Sequence, residues 1–540
     1  PPPPTARPVI ALSKLTAALA AIAALAVSAC SPDEGLTGTT SNPQPEVALS
    51  VNRQYQGPLR SLFVQYRPDA PTDRLARLKG PSIRSANDLG GKRRWIAMEV
   101  SPATADSLAG AFRALPWVSK VELGTDRFRI TSLRDSDMTS RVFTQIIPWG
   151  IQESDVLYVH SMSDNKGAGI KVSILDTGIY CTHPDLDGHT QSGYDYVNMT
   201  SGGGCTALHP HGTMVAGIIG AADDTYGVIG MAPEADLYSV RVCGINGFCS
   251  DAAIASGIHW ARSNGMDVIN ISIANCGSDL PSAIAEALED AVEDDLVVVA
   301  SAGNGVSNGC YPSVPVSTFG DIPEVIIVGA YFQGDSVNSG FQFGSRIDLA
   351  APSYVLTDSA ASSFGYLDGT SAATPHVSGA VALLLAAGVP PSQVRAKLTA
   401  TARDLGPTGK DNYFGHGALD ALSAVIPGPQ VGTISHCTSG VVFDDCLITP
   451  TRNWGVPAFQ WRFIATRNNG AILLDSTGWV SDSTFLVPVS SGEYEIQVDM
   501  WVREDSTGSP RDRVSNKATY YLQVCDDGID ALLAICPPTM

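Results

Sequence analysis

Positive charge is scarce in this 540-residue chain: 34 lysines and arginines stand against 54 aspartates and glutamates, a formal net charge of −20. That deficit opposes attraction to phosphate backbones and anionic lipid, which excludes nucleic acid or a membrane surface as the main partner. The eleven cysteines include no closely paired CxxC, so the four-ligand zinc spacings are missing too. Internal repeats are lacking, which excludes solenoids and propellers. One long apolar run is present, at residues 15–27 behind Arg7 and Lys14. It is too short to span a bilayer comfortably and reads as the centre of an export signal. Hydrophobic residues make up 44% of the chain, enough at this length for more than one domain and a large core.

The export reading covers residues 1–30 and ends in Val27-Ser28-Ala29-Cys30, which resembles a bacterial lipobox. Lipidated Cys30 would then be the mature N-terminus, with the protein secreted or anchored to a bacterial membrane, its only membrane contact; ordinary small-residue cleavage is the alternative. Ten cysteines remain, an even number that suits disulfides in an oxidising compartment. Sequence alone leaves their pairing open. The simplest arrangement joins neighbours: Cys181 with Cys205, Cys243 with Cys249, Cys276 with Cys310, Cys437 with Cys446 and Cys525 with Cys536.

Residues 31–57 are rich in Ser, Thr, Pro and Gly, as expected of a flexible tether. Residues 58–130 carry strand-like SLFVQY, WIAMEV and VSKVEL and a helix-like SPATADSLAGAFRAL starting near Ser101 or Thr104. That pattern predicts a small α+β unit. Farther on, apolar runs alternate with helical stretches: KVSIL, ADLYSVRV, DVINISI, LVVVA, EVIIVGA and IDLAA. Near-continuous Val, Ile and Leu suits a mainly parallel sheet buried by helices on both faces. Residues 428–540 shift to short alternating runs such as FQWRFIAT and YEIQVDMWV, predicting an antiparallel β-sandwich with a turn near Asn468-Asn469-Gly470.

Three separated motifs carry chemistry: Asp176-Thr177-Gly178, His211-Gly212-Thr213 and Gly369-Thr370-Ser371-Ala372-Ala373-Thr374-Pro375. A serine hydroxyl is a poor nucleophile until a base takes its proton, and the base must be held in one tautomer. Asp176, His211 and Ser371 supply orienter, base and nucleophile. Asp176 follows the run KVSIL, as a site beyond the carboxyl ends of strands requires. Ser371 opens a helix-like run, with Pro375 expected in the first turn, where proline is tolerated. Each residue also has an ordinary use: strand-end turn, helix-start histidine, helix cap.

Taken together, these motifs and their flanks His211-Gly212-Thr213-Met214-Val215-Ala216-Gly217 and Thr374-Pro375-His376-Val377-Ser378-Gly379 resemble the subtilisin-type serine peptidases. The resemblance covers about residues 59–425. It implies an α/β catalytic domain at 148–427 and an endopeptidase working through an acyl-enzyme on Ser371. It makes residues 58–130 an inhibitory propeptide, the chain's own intramolecular partner besides peptide substrates, and 131–147 a processing junction. By the same resemblance, Asn304 would be the side-chain donor to the oxyanion. Ser272, Ile273 and Ala274 would form one wall of the substrate cleft, and Ala302 and Gly303 the other. Ala274 and Ala372 depart from the glycine and methionine frequent in that family, which implies a narrower pocket mouth and peroxide tolerance. His209 and His376 read as structural. No cofactor is needed for the chemistry. Structural calcium is frequent in the family; Asp185, Asp187, Asp223 and Asp224 are candidates by type only, and no ligand set can be read. A monomer is expected.

Overall fold

The structure, a computed structural model, describes residues 59–70, 83–130, 144–186, 188–275, 279–305, 318–359 and 363–426, with residues 135–138 and seven strands between 431 and 524 described as backbone only. The export segment with Cys30, the tether, Asp187, Cys276, Cys310, Cys525 and Cys536 lie outside the described residues. The chain divides into two compact units between Val425 and Ile426.

The N-terminal part of the first unit is a four-stranded antiparallel sheet with one helix. It comprises β1 (Arg60–Tyr66), β2 (Ile83–Asp88), β3 (Trp95–Val100), α1 (Pro102–Arg113) and β4 (Val118–Leu123), in sheet order β2-β3-β1-β4. Three strands and the helix match the sequence reading, and Ser101 is the residue before α1. Ala105, Ala109 and Phe112 repeat at helical spacing and meet Leu62, Val64, Ile96 and Met98 from the sheet in one core. Two further strands follow, β5 (Phe128–Ile130) and β6 (Asp135–Met138).

The larger part runs α2 (Trp149–Glu153), α3 (Val156–Ser163), β7 (Lys171–Asp176), β8 (Thr190–Asp195), β9 (Thr200–Ser201), α4 (His211–Gly220), β10 (Asp236–Arg241), β11 (Phe248–Cys249), α5 (Asp251–Ser263), β12 (Val268–Ile271), β13 (Ile273–Ala274), α6 (Ser282–Glu293), β14 (Val297–Ser301), β15 (Ile326–Tyr331), β16 (Leu349–Pro352), β17 (Val355–Asp358), β18 (Phe364–Leu367), α7 (Thr370–Ala386), α8 (Pro391–Thr401) and α9 (Ala421–Val425). Eight strands form one sheet in the order β16-β15-β14-β12-β7-β10-β8-β9, parallel throughout except for the short β8–β9 pair. The predicted α/β class is thus observed. Strand residues alternate between two covers, as a two-residue period demands. Leu175, Ile269, Val298 and Ile327 pack with Ile254 and Ile258 of α5 and Ile284 and Leu288 of α6. Asn270, of opposite parity, accepts a hydrogen bond from Ser378 of α7 at 2.8 Å. Helices α4 and α7 lie against each other and against the central strands, and α4 is buried along its whole length. Among the described residues no helix is long and apolar enough to cross a membrane.

The second unit contains β19 (Val431–Thr438), β20 (Phe443–Pro450), β21 (Phe459–Arg467), β22 (Ile472–Ser476), β23 (Thr484–Pro488), β24 (Tyr494–Glu504) and β25 (Ala518–Val524). They pair antiparallel in two sheets, β19-β20-β23 and β22-β21-β24-β25. Cys437 and Cys446 are register partners on β19 and β20.

Candidate active site

Asp176 is the last residue of β7, His211 the first of α4 and Ser371 the second of α7. The three motifs therefore converge at the carboxyl end of the central strands. His211 Nδ1 lies 2.8 Å from Asp176 Oδ1, and its Nε2 lies 2.9 Å from Ser371 Oγ. Because a carboxylate can only accept, Nδ1 carries the ring proton and Nε2 presents its lone pair to the serine. The Thr177 backbone N–H also donates to Asp176 Oδ1 at 2.7 Å, which fixes the carboxylate. Gly212 lets α4 come this close: a Cβ there would sit 2.4 Å from the Gly178 carbonyl oxygen. Ser371 lies at the positive end of α7, where negative charge developing on the attacked carbonyl is stabilised.

Pro375 is not in the first turn of α7. The helix starts at Thr370, so Pro375 falls in the second turn, where its missing N–H leaves the Ser371 carbonyl without a helical donor. Ser272 Oγ donates to that carbonyl instead, at 3.3 Å, and the Ser272 carbonyl lies 3.2 Å from Ser371 Oγ. The proline is thus compatible with the helix because the cleft wall supplies the lost bond.

Asn304 is buried beside them. Its side-chain oxygen accepts from the Thr370 N–H at 3.1 Å and from Thr370 Oγ1 at 3.2 Å, which commits the oxygen and fixes which end of the amide is the donor. Thr370 Oγ1 also accepts from the Gly303 N–H at 3.1 Å. The cleft walls named from sequence are brought together: a Cβ placed on Gly303 (φ +111°) would lie 3.1 Å from the Ala274 Cβ. Gln342, missed in the sequence, ties those walls by donating its backbone N–H to the Gly303 carbonyl and its side-chain amide to the Asn275 carbonyl, at 2.8 and 3.2 Å. No motif contains it. Thr370 was visible inside the Gly-Thr-Ser motif, but its two-sided role was not.

His376 stays apart, its Nδ1 bound to the Ala372 carbonyl at 2.7 Å and its pKa pushed down to about 4 by burial. Two of the expected disulfides are formed, Cys181–Cys205 and Cys243–Cys249. Of the described acids proposed for calcium, Asp223 pairs with Lys166 at 2.9 Å, Asp224 accepts from the Tyr226 N–H, and Asp185 is buried, accepting from the Val228 N–H. Among the described residues no group of three or more His, Cys, Asp or Glu side chains gathers as a metal site.

Asp176, His211, Asn304 and Ser371 have no exposed surface. The chain upstream pairs with strands next to the site in sequence. β5 runs antiparallel between β11 and β13, with Arg129 opposite both Phe248 and Ala274 and Ile130 opposite Ile273. β6 pairs with β18, Asp135 opposite Leu367.

Residues 167–417 match the subtilase family of peptidases. The chain is 38% identical over 289 residues to subtilisin BL of Lederbergia lenta, covering 52% of this chain and 99% of that protein. It is 36% identical over 338 residues to an alkaline protease of Alkalihalobacillus alcalophilus, covering 61% of this chain and 78% of the relative. Subtilisin E of Bacillus subtilis is 35% identical over 297 residues, with 54% and 74% covered.

Proposed function

This chain belongs to the subtilase family and is a serine endopeptidase, and from that premise we propose how its residues divide the work. Ser371 Oγ attacks the peptide carbonyl while His211 Nε2 takes its proton and passes it to the departing amine. Asp176 holds the imidazole tautomer and stabilises the imidazolium. The Asn304 amide and the Ser371 N–H receive the oxyanion. Water, activated by His211, then hydrolyses the acyl-enzyme. The hydrogen-bonded chain from Asp176 through His211 to Ser371, at 2.8 and 2.9 Å, carries this reading. The Ala274 methyl narrows the mouth of the pocket for the residue before the cut, which favours apolar side chains of modest size.

Residues 58–130 act as an inhibitory propeptide. Supporting this, β5 occupies the strand position that a substrate would take between β11 and β13. Because β5 pairs with the strand after Ser272 and β6 with the strand that leads into α7, the self-processing cut is assigned to the stretch between Ile130 and Asp135. The chemistry needs no cofactor; calcium enters only as a stabilising ion. Export, lipidation at Cys30, the tether at 31–57 and a C-terminal accessory β-sandwich complete the proposed organisation of an extracytoplasmic zymogen.

The test is expression of residues 31–540 through an oxidising export route beside a Ser371→Ala twin, following chain mass and hydrolysis of an apolar peptide. The parent should lose its first part up to the 130–135 interval and turn over substrate, with the twin intact and inert. An active twin would remove Ser371 from the mechanism; an intact but active parent would remove self-processing.

A further inference from the structure

The two edges that grip β5 are built differently. β13 continues from β12 through Ser272, so the eight-stranded sheet holds it. β11 is held differently: among the described residues its strand partner is β5, and behind it lies the bridge between Cys243 and Cys249. Those two residues are joined by a disulfide, which closes a loop of sequence separation 6. Inside the loop the Gly244 N–H donates to the Phe248 carbonyl at 2.8 Å and the Gly247 N–H to the Gly244 carbonyl at 3.0 Å. The loop's first end is tied to the catalytic aspartate: the N–H groups of Val242 and Cys243 both donate to the Asp176 carbonyl oxygen, at 2.8 and 3.0 Å. Its other end grips the strand in the cleft, with Cys249 opposite Phe128, Phe248 opposite Arg129, and the Gly247 carbonyl accepting from the Ile130 N–H at 3.0 Å.

We propose that the Cys243–Cys249 disulfide is a substrate-positioning element, which holds β11 as the second edge of the cleft and fixes that edge to the backbone of Asp176. The proposal rests on the reading of β5 as standing where substrate binds. Its consequence is specific. A substrate extending several residues before the cut uses β11; one with a single residue before the cut does not. Main-chain hydrogen bonds are typically worth roughly a twofold to tenfold change in an equilibrium each, so loosening β11 should weaken extended substrates about tenfold and leave the chemistry alone.

The experiment compares kcat and KM of the mature wild-type enzyme and a Cys243→Ser/Cys249→Ser variant on two substrates: a tetrapeptide anilide with apolar side chains and an ester of a single acylated amino acid. A Cys181→Ser/Cys205→Ser variant serves as control. Should the variant not fold, the Cys181→Ser/Cys205→Ser variant is read the same way before and after treatment with dithiothreitol, which is oxidised to its cyclic disulfide as cystine becomes two thiols. Support is a rise of about tenfold in KM for the tetrapeptide, with its kcat and both constants for the ester unchanged and the control variant unaffected. Equal losses on both substrates would show general loosening and overturn the proposal, as would no change on either. Absence of acylation of the untreated enzyme by a serine-directed reagent would bring down the triad assignment itself, a failure visible before either substrate is compared.

Discussion

The triad centre and the surface where the N-terminal part of the first unit docks on α5 and α6 are both assembled by hydrogen bonds to carboxylates, but they are encoded in opposite ways. The triad draws on three short motifs, each a residue at a strand end or helix start whose neighbours fix it. The docking surface draws on single residues far apart. Asp126 accepts from the Ser61 N–H and Oγ at 2.8 and 2.6 Å, and Asp251 accepts from the N–H groups of Thr125 and Asp126 at 2.6 and 3.0 Å. Glu286 accepts from the Trp95 indole at 2.6 Å, Glu122 from the Ser282 N–H at 3.1 Å and Glu99 from Ser250 Oγ at 2.7 Å. Chemistry tolerates one geometry and concentrates it; docking spreads over many contacts, none of which needs its sequence neighbours. Burial, and next the Asp126 charge, push Asp251 up to about 7, and burial pushes Glu99 up as well. The docked state therefore holds protons that the separated surfaces would release.

If the triad is concentrated, single changes there should be close to absolute. His211→Ala is expected to lower kcat by roughly a millionfold and to abolish processing while leaving the thermal midpoint near that of wild type. A variant retaining a hundredth of wild-type turnover in a stopped assay would show that the base lies elsewhere.

Asn304→Ala is the next largest. Losing one oxyanion donor typically lowers kcat about a hundredfold to a thousandfold. The change also leaves the buried Thr370 N–H without its acceptor, a penalty of about 1–3 kcal/mol. Kinetics and thermal unfolding of one preparation should both move; a stability loss with unchanged kcat would make Asn304 a purely structural residue.

The docking surface should also respond to pH. An ordinary aspartate ionises near pH ~4, so with Asp251 raised in the docked state, docking is strongest below that value and weakens as pH rises toward about 7. Enzyme held at about pH 8 after processing should therefore lose its lag in activity about tenfold faster than enzyme held at about pH 5, both assayed at the higher pH, because a tenfold change in proton affinity already costs docking a factor of about ten. Asp251→Asn should flatten the difference. A lag that lengthens with pH would reverse the sign and dismiss the carboxyl as its cause.

The smallest effect is an expected absence. Ala372, buried beside the nucleophile, offers no thioether to oxidise. Dilute peroxide should leave activity unchanged, and Ala372→Met should make it sensitive; loss in the parent traced to chemistry next to Ser371 would contradict this.

What the sequence reveals follows the same division. The runs KVSIL, ADLYSVRV and EVIIVGA are strands β7, β10 and β15, because continuous β-branched residues buried on both faces have few other uses. The triad was legible because its motifs are local. Three things were not. β2, with sequence IRSAND, has too few apolar residues to announce itself and is a strand because β3 pairs with it. Pro375 sits one turn deeper than expected because its compensation comes from Ser272, about a hundred residues upstream. Gln342 ties the cleft walls through backbone carbonyls, which leave no trace in residue types.

The two edges that hold β5 have a further consequence, for solubility. If β5 is released as proposed, β11 and β13 would expose unpaired backbone groups, and main-chain pairing accepts any extended chain whatever its side chains, another copy of the protein included. Each edge is only two residues long. Stacked cross-strand assembly needs segments of about six or seven residues, so the cleft can hold a passing chain without templating a fibril. The same brevity that lets product depart keeps a sticky surface from becoming an aggregation seed.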